Sequence, residues 1–236
     1  MAPGKPATEG KNRQARAERT RSEILAAASV RFAELGYAAT RLEDVGRDVG
    51  IGRSAVLYHF KDKGLLYRGV LDEIFGGLLE EQTANLETDR TLADRLETAV
   101  VRFVDFMGEH PTAARIAMRE SLQTDPAIRL EIQRRAEPFF ALLDAVFREG
   151  ERTGAFRPMR SDPFHFVSAI VGSTLFYVAA LPSLVAELPY DPLSTDQLEA
   201  HKRDLIEITR RLLGIRGPRL LANRPLAAIG EDHDDT

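Results

Sequence analysis

The chain contains no cysteine among its 236 residues. Disulfides, thiol catalysis and thiolate metal sites are therefore excluded. The glycines form neither a GxxxxGK[ST] nor a GxGxxG loop, so a nucleotide cradle has no sequence support. No HExxH occurs, and the five histidines (59, 110, 165, 201 and 233) are too scattered for a metal-ligand set. His110 reads as a helix-end residue and His165 as a satisfied buried histidine. No metal and no cofactor are expected. Carboxylates are plentiful but fall on helix faces, where they read as solvent charges, so no catalytic constellation stands out and no enzymatic activity is expected. The opening MAPGKPATEGKNRQAR has no apolar core and does not read as a secretory signal. A cytoplasmic location is the expectation.

The composition is that of a soluble globular protein, 44% hydrophobic and 29% charged. The net charge of −4 alone argues against nucleic acid, but its distribution reverses that. Residues 1–63 hold twelve Lys and Arg against eight Asp and Glu, a net +4, so the remainder carries −8. Binding to phosphates needs a few cations on one surface, not a basic whole chain.

The most informative stretch is TRLEDVGRDVGIGRSAVLYHFKDK, from Thr40 to Lys63. Leu42, Val45 and Val49 share one helical face. Thr40 with Glu43 has the spacing of a capping box, which predicts a reciprocal cap at the helix start. Gly50-Ile51-Gly52 breaks this helix, with Gly50 suited to the left-handed conformation and Ile51 turned into the core. A second helix begins near Arg53 and turns Val56 and Phe60 inward. Helix, glycine turn and helix make a helix-turn-helix, whose second helix enters the DNA major groove. Arg53, Ser54 and Ala55 lie in its first turn, where side chains reach base edges. Tyr58, His59, Lys61 and Lys63 follow, all able to donate to phosphate oxygens. The competing reading is a solvated face on an ordinary helical hairpin.

At these residues the chain resembles the TetR (tetracycline-repressor-like) family of transcriptional regulators. Gly36-Tyr37, Thr40, Val45, Gly50, Tyr58-His59-Phe60, Lys63 and Leu65-Leu66 carry the resemblance, which covers about residues 20–68. It implies phosphate contacts from Thr40, Tyr58, His59 and Lys63, and base reading by Arg53, Ser54 and Ala55. It also implies a homodimer on a near-palindromic operator, released by a small apolar effector. Three positions depart from the family pattern. Leu57 stands where many members have an aromatic, Gly52 where Ser or Thr caps the recognition helix, and Gly64 where an acidic residue is usual. A looser start to the next helix is the expectation from Gly64.

The whole chain reads as all-α. Residues 1–19, rich in Pro, Gly, Lys and Arg, read as a disordered basic arm. Its Lys11, Arg13, Arg16 and Arg19 either reach a minor groove or are solvated. Residues 20–62 form the three-helix DNA-binding domain, its first helix running from about Arg21 to Leu35 with Gly36 as the stop. Residues 63–213 form a helical regulatory and dimerisation domain, and 214–236 a flexible tail. Helices are expected at about Lys63–Leu86, Leu92–Glu109, Pro111–Glu120, Pro126–Glu149 and Thr195–Leu213. Gly76-Gly77 marks either a joint or a close packing point. In the Pro126–Glu149 helix, Ile132, Ala136, Phe139, Leu143 and Phe147 are expected inward. Phe164–Ala186 has no formally charged residue if His165 is neutral. Five polar side chains, Pro182 and the lack of a polybasic flank argue against a membrane span. A helix apolar all round is buried all round, which here predicts a subunit interface shared with the last helix. Phe103, Phe106, Met107, Met118, Phe139, Phe140, Phe147, Phe176 and Tyr177 either pack as plain core or line an effector cavity.

Two other functions remain open: a small-molecule binding or sequestering helical protein with a weakened DNA reader, and an all-helical enzyme.

Overall fold

The computed structural model describes residues 7–123 and 126–216, without the side chains of 7–11, 123, 126–128 and 131. Ten α-helices and no strand occur among the described residues. They are α1 (Ala7–Ala39), α2 (Leu42–Val49), α3 (Arg53–His59), α4 (Lys63–Leu86), α5 (Leu92–Glu109), α6 (Pro111–Gln123), α7 (Pro126–Thr153), α8 (Pro163–Leu175), α9 (Leu181–Leu184) and α10 (Thr195–Leu213). The chain divides into two compact units, Met1–Gly76 and Gly77–Thr236. The division falls inside α4, later than the expected 62/63 boundary. The cause is the first half of α4, whose Leu66, Tyr67, Val70 and Leu71 are buried within the first unit. A Cβ added at Gly76 or Gly77 would meet nothing within 4 Å, so close packing does not account for this glycine pair.

In the first unit, Ile24, Leu25, Ala28 and Phe32 of α1 are buried, as their spacing predicts, while Leu35 of the same stripe is exposed. Phe32 meets the Tyr67 ring edge-on with centroids 4.7 Å apart. The arm expectation is corrected: α1 begins at Ala7, and Arg13, Arg16 and Arg19 lie exposed on a continuous helix. Arg19 reaches Glu23 four residues on, at 2.9 Å, a local pair that supports a helix the composition disfavours. Gly36, at φ 78° and ψ 171°, breaks the helical path, and one further turn carries the chain to Ala39. Residues 1–6 and most of the expected tail, 217–236, lie outside the described residues.

The second unit is held by α10 on α5. Two buried cations fix the register of the pair. Arg210 meets Glu97 at 2.5 Å, and Lys202 meets Asp105 at 2.6 Å and also Glu199. Removing one partner of such a pair strands a buried charge, at a cost of about 3–5 kcal/mol. The loop after α7 closes the far end of α10. There Arg157 N–H donates to Leu213 O (2.8 Å) and Met159 N–H to Leu212 O (2.9 Å), satisfying carbonyls that a helix end leaves open.

Pro163–Leu184 is a continuous 22-residue segment, long and apolar enough to cross a bilayer by length and composition. Asp162 caps it, accepting from Phe164 N–H at 3.1 Å. Between α8 and α9 the backbone widens into a π-helical turn over Phe176–Ala180. Pro182 supplies the cause, because its ring clashes with the preceding turn and it has no N–H to continue the ladder. Burial on all sides is not what the structure shows: only 28% of the segment's apolar window is buried. Phe166, Ile170, Leu175 and Val178 turn inward, while Phe164, Phe176 and Leu184 are exposed. In α7, Leu143 and Phe147 are buried as expected, Phe139 is half-buried, and Ile132 is exposed.

The buried histidine is His201, not His165. His165 is exposed, with Nδ1 3.2 Å from Asp162 Oδ1. His201 lies flat on Tyr177 with ring centroids 4.0 Å apart. Its burial pushes its pKa below the ordinary histidine value, and Asp204 opposes this only in part.

Two outcomes follow. A Cβ on Gly46 would sit 2.7 Å from the Ile51 carbonyl oxygen, so Gly46→Ala should destabilise the first unit by about 1–3 kcal/mol in urea unfolding. For His201, the folded pKa lies below the unfolded one, so the unfolded chain binds more protons as pH falls through the unfolded value. Stability is therefore full above that value and is lost as pH drops below it. Melting curves from pH 7.5 to 5.5 should show this loss in the wild type and a smaller one in His201→Gln.

Candidate nucleic-acid interface

The geometry of α2 and α3 starts from Gly50. Its φ of 76° ends α2 in the left-handed conformation, and its N–H donates to Arg47 O at 3.1 Å. Ile51 N–H then donates to Gly46 O at 2.8 Å. This bond draws the turn so close to α2 that only a residue without Cβ fits at position 46. Gly52 is the N-cap of α3 and gives no side-chain cap. Val56 and Phe60 are buried, and the Arg21 guanidinium lies over the Phe60 ring at 4.8 Å from its centroid. On the outer side of α2, Arg31 of α1 grips Asp48 with two hydrogen bonds of 2.7 Å. That grip raises the Arg31 pKa and lowers that of Asp48.

With α3 fixed on its inner side, its outer side carries the residues singled out by sequence. Arg53, Ser54 and Tyr58 are exposed, Tyr58 at 83%; Ala55 and His59 are half-buried, and Lys61 is exposed. The Tyr58 and His59 rings meet edge-on at 5.4 Å. Arg53 is not free: its Nε lies 2.9 Å from Glu43 Oε1 of α2, an ion pair. Leu57 is half-buried.

Two members of the set sit differently from the rest. Thr40 is buried, and its hydroxyl donates to Gly36 O (2.8 Å), with Arg31 O at 3.2 Å. The expected capping box is therefore absent. Arg41 is the N-cap of α2 without a side-chain cap, and Glu43 has gone to Arg53. The Thr40 side chain is spent on closing the α1–α2 turn rather than presented outward. Lys63, half-buried, donates from Nζ to Ala38 O (3.1 Å) and Thr40 O (3.0 Å), and lies 4.5 Å from the Tyr37 ring centroid. Burial lowers its pKa. Its ammonium has three donors, so one N–H remains beyond the two carbonyls.

The expected looseness at Gly64 is not found. Asp62, two residues earlier, accepts from Leu65 N–H at 2.7 Å and caps α4. Sequence reasoning also passed over Arg41, which is exposed where α2 begins. Its signal was a cation immediately before a helix that opens the motif.

A family model described as "Bacterial regulatory proteins, tetR family" matches residues 24–70. A second, "Tetracyclin repressor-like, C-terminal domain", matches residues 93–208. Among solved structures, a tetR-family bacterial regulatory protein from Rhodococcus RHA1 aligns at TM-score 0.68 with 22% identity, over 84% of this chain and 98% of its own. The ketosteroid regulator KstR2 of Mycobacterium tuberculosis aligns at 0.66 with 21% identity, over 84% and 95%. FadR from Bacillus subtilis, solved with stearoyl-CoA, aligns at 0.62 with 19% identity, over 83% and 99%. At these identities the structures show a shared fold, while the two family models cover both the reader and the helical body. The chain therefore belongs to the TetR family of bacterial transcriptional regulators.

Proposed function

We propose that the protein is a cytoplasmic homodimeric repressor that binds a near-palindromic operator and is released by a small apolar effector. One observation carries the DNA reading: α3 is locked on its inner side and offers Arg53, Ser54 and Tyr58 to the outside. Arg53, Ser54 and Ala55 are assigned to base edges. Tyr58, His59, Lys61, the spare Lys63 N–H and Arg41 are assigned to phosphates. Thr40 acts through the turn it closes.

The dimer reading is supported by the outer side of α8 and α9. Phe164, Phe176 and Leu184 are exposed there beside Ser168, Gly172 and Ser173, and no Cβ contact crowds Gly172. A second copy covers such a face better than water does. α10 contributes Ile208 within a charged surface of Arg203, Asp204 and Arg211, so its share is more polar than its leucines suggest. The effector reading is supported by the half-buried Phe103, Phe106, Met118, Phe139 and Phe140 in the body, whereas Met107 and Phe147 are plain core. The stearoyl-CoA in FadR carries a long apolar acyl chain, of the kind such aromatics enclose. By linkage, an effector that weakens operator binding is itself bound more weakly by the DNA complex, by the same factor.

The test is a titration of duplexes from the region upstream of the coding sequence, with Arg53→Ala and Lys63→Met compared. Arg53→Ala should cost about 1–3 kcal/mol at one cognate base and relax preference there. Lys63→Met should weaken all duplexes alike and flatten the salt dependence, while lowering the melting temperature because two carbonyls lose their donor. Equal loss by both variants on specific and random duplexes contradicts the division of roles.

A further inference from the structure

Glu43 is a carboxylate on the reader's outer side, where phosphates are to be bound, and it holds the residue assigned to base reading. Its Oε1 lies 2.9 Å from Arg53 Nε, an ion pair, and both side chains are half exposed to solvent. The neighbouring acids of α2 are spent otherwise, Asp48 on Arg31 and Asp44 on Arg47. Of the three acids of α2, Glu43 is the one paired with the recognition helix, and its charge has the same sign as DNA.

We infer that Glu43 is a specificity-determining residue, which holds Arg53 off phosphates and releases it, or orients it, only for a base edge. The inference rests on the assignment of Arg53 to base reading. A guanidinium has five N–H donors in a rigid fork. The ion pair is closest at Nε, and the two terminal nitrogens carry N–H donors of their own. Those donors match the two acceptors that guanine presents in the major groove, O6 and N7. A phosphate can take the same fork bidentately, but it brings its own charge close to Glu43. At that separation, below the Debye length of about 8 Å at physiological salt, the repulsion is only partly screened. Random DNA, bound through phosphates alone, meets this repulsion in full. A guanine edge takes the same fork without a formal charge, so cognate DNA meets less of this repulsion.

Discrimination of this kind works by penalising the wrong partner rather than by strengthening the right one. The Arg53–Glu43 pair is exposed and weak as a stabilising contact, so its loss leaves the reader folded.

The experiment uses the full-length protein and a preferred duplex recovered by the wild type from a random library. Affinities for that duplex and for a random duplex of equal length are measured for wild type, Glu43→Gln, Arg53→Ala and the double variant across a salt series. Melting curves confirm that each variant is folded. Glu43→Gln should raise random-duplex affinity about two- to fivefold and steepen its salt slope by about 0.9, one added phosphate contact. The preferred duplex should gain less, so the ratio between the two falls. Arg53→Ala in the Glu43→Gln background should remove the gain. An unchanged ratio overturns the inference. So does a gain that survives Arg53→Ala, which assigns the effect to Glu43's charge alone. Failure of the wild type to recover any preferred duplex refutes the reader itself, before a variant is made, and the inference falls with it.

Discussion

The reader depends on one close contact, that of the Ile51 peptide with Gly46. Ile51 N–H donates to Gly46 O at 2.8 Å, and the Ile51 carbonyl oxygen sits where a Cβ on residue 46 would be. That contact sets the angle at which α3 leaves α2. The angle decides which side of α3 is buried through Val56 and which is offered through Arg53 and Tyr58. Around it, polar contacts tie the remaining elements together. Arg31 holds α2 through Asp48, Thr40 closes the α1–α2 turn, and Lys63 ties the start of α4 to the same turn through two carbonyls. A hydrogen bond to a charged donor contributes about 1.5–3 kcal/mol where it is sheltered from water. The Lys63 pair of bonds therefore makes the turn and α4 mechanically one piece.

The body is stabilised by a different device. α10 is placed on α5 by Arg210–Glu97 and Lys202–Asp105, charges sunk between helices whose leucines alone would allow several registers. Buried pairs of this kind select an arrangement more than they add stability. On α8 and the turn after it, by contrast, Phe164 and Phe176 are exposed among the described residues, and Phe176 lies in a π-helical turn that Pro182 imposes.

Much of this was legible in the sequence, for identifiable reasons. The ends of α4, α5 and α10 follow from local signals at residues 63, 92 and 213, and Gly50 and Gly52 fall at the cap positions expected of them. What failed was tertiary. Thr40 and Glu43 have capping-box spacing, yet each has another partner in the fold, Gly36 O and Arg53. A one-dimensional pattern cannot weigh that competition. Gly46 went unnoticed because a close approach from five residues on leaves no composition signal. His165 was expected buried and is exposed, since the apolar run around it says nothing about which side faces out. The arm before Arg21 was read from its polar composition, whereas from Ala7 onward it is continuous with a well-packed α1.

The central claim is that two copies of this reader, presented by one dimer, grip successive major grooves. Hydroxyl-radical footprinting of the full-length protein on a duplex it selects tests this most directly. The account gives two protected half-sites related by a dyad, with centres about 10 base pairs or a multiple apart. A single protected half-site, or protection without sequence preference, would contradict it.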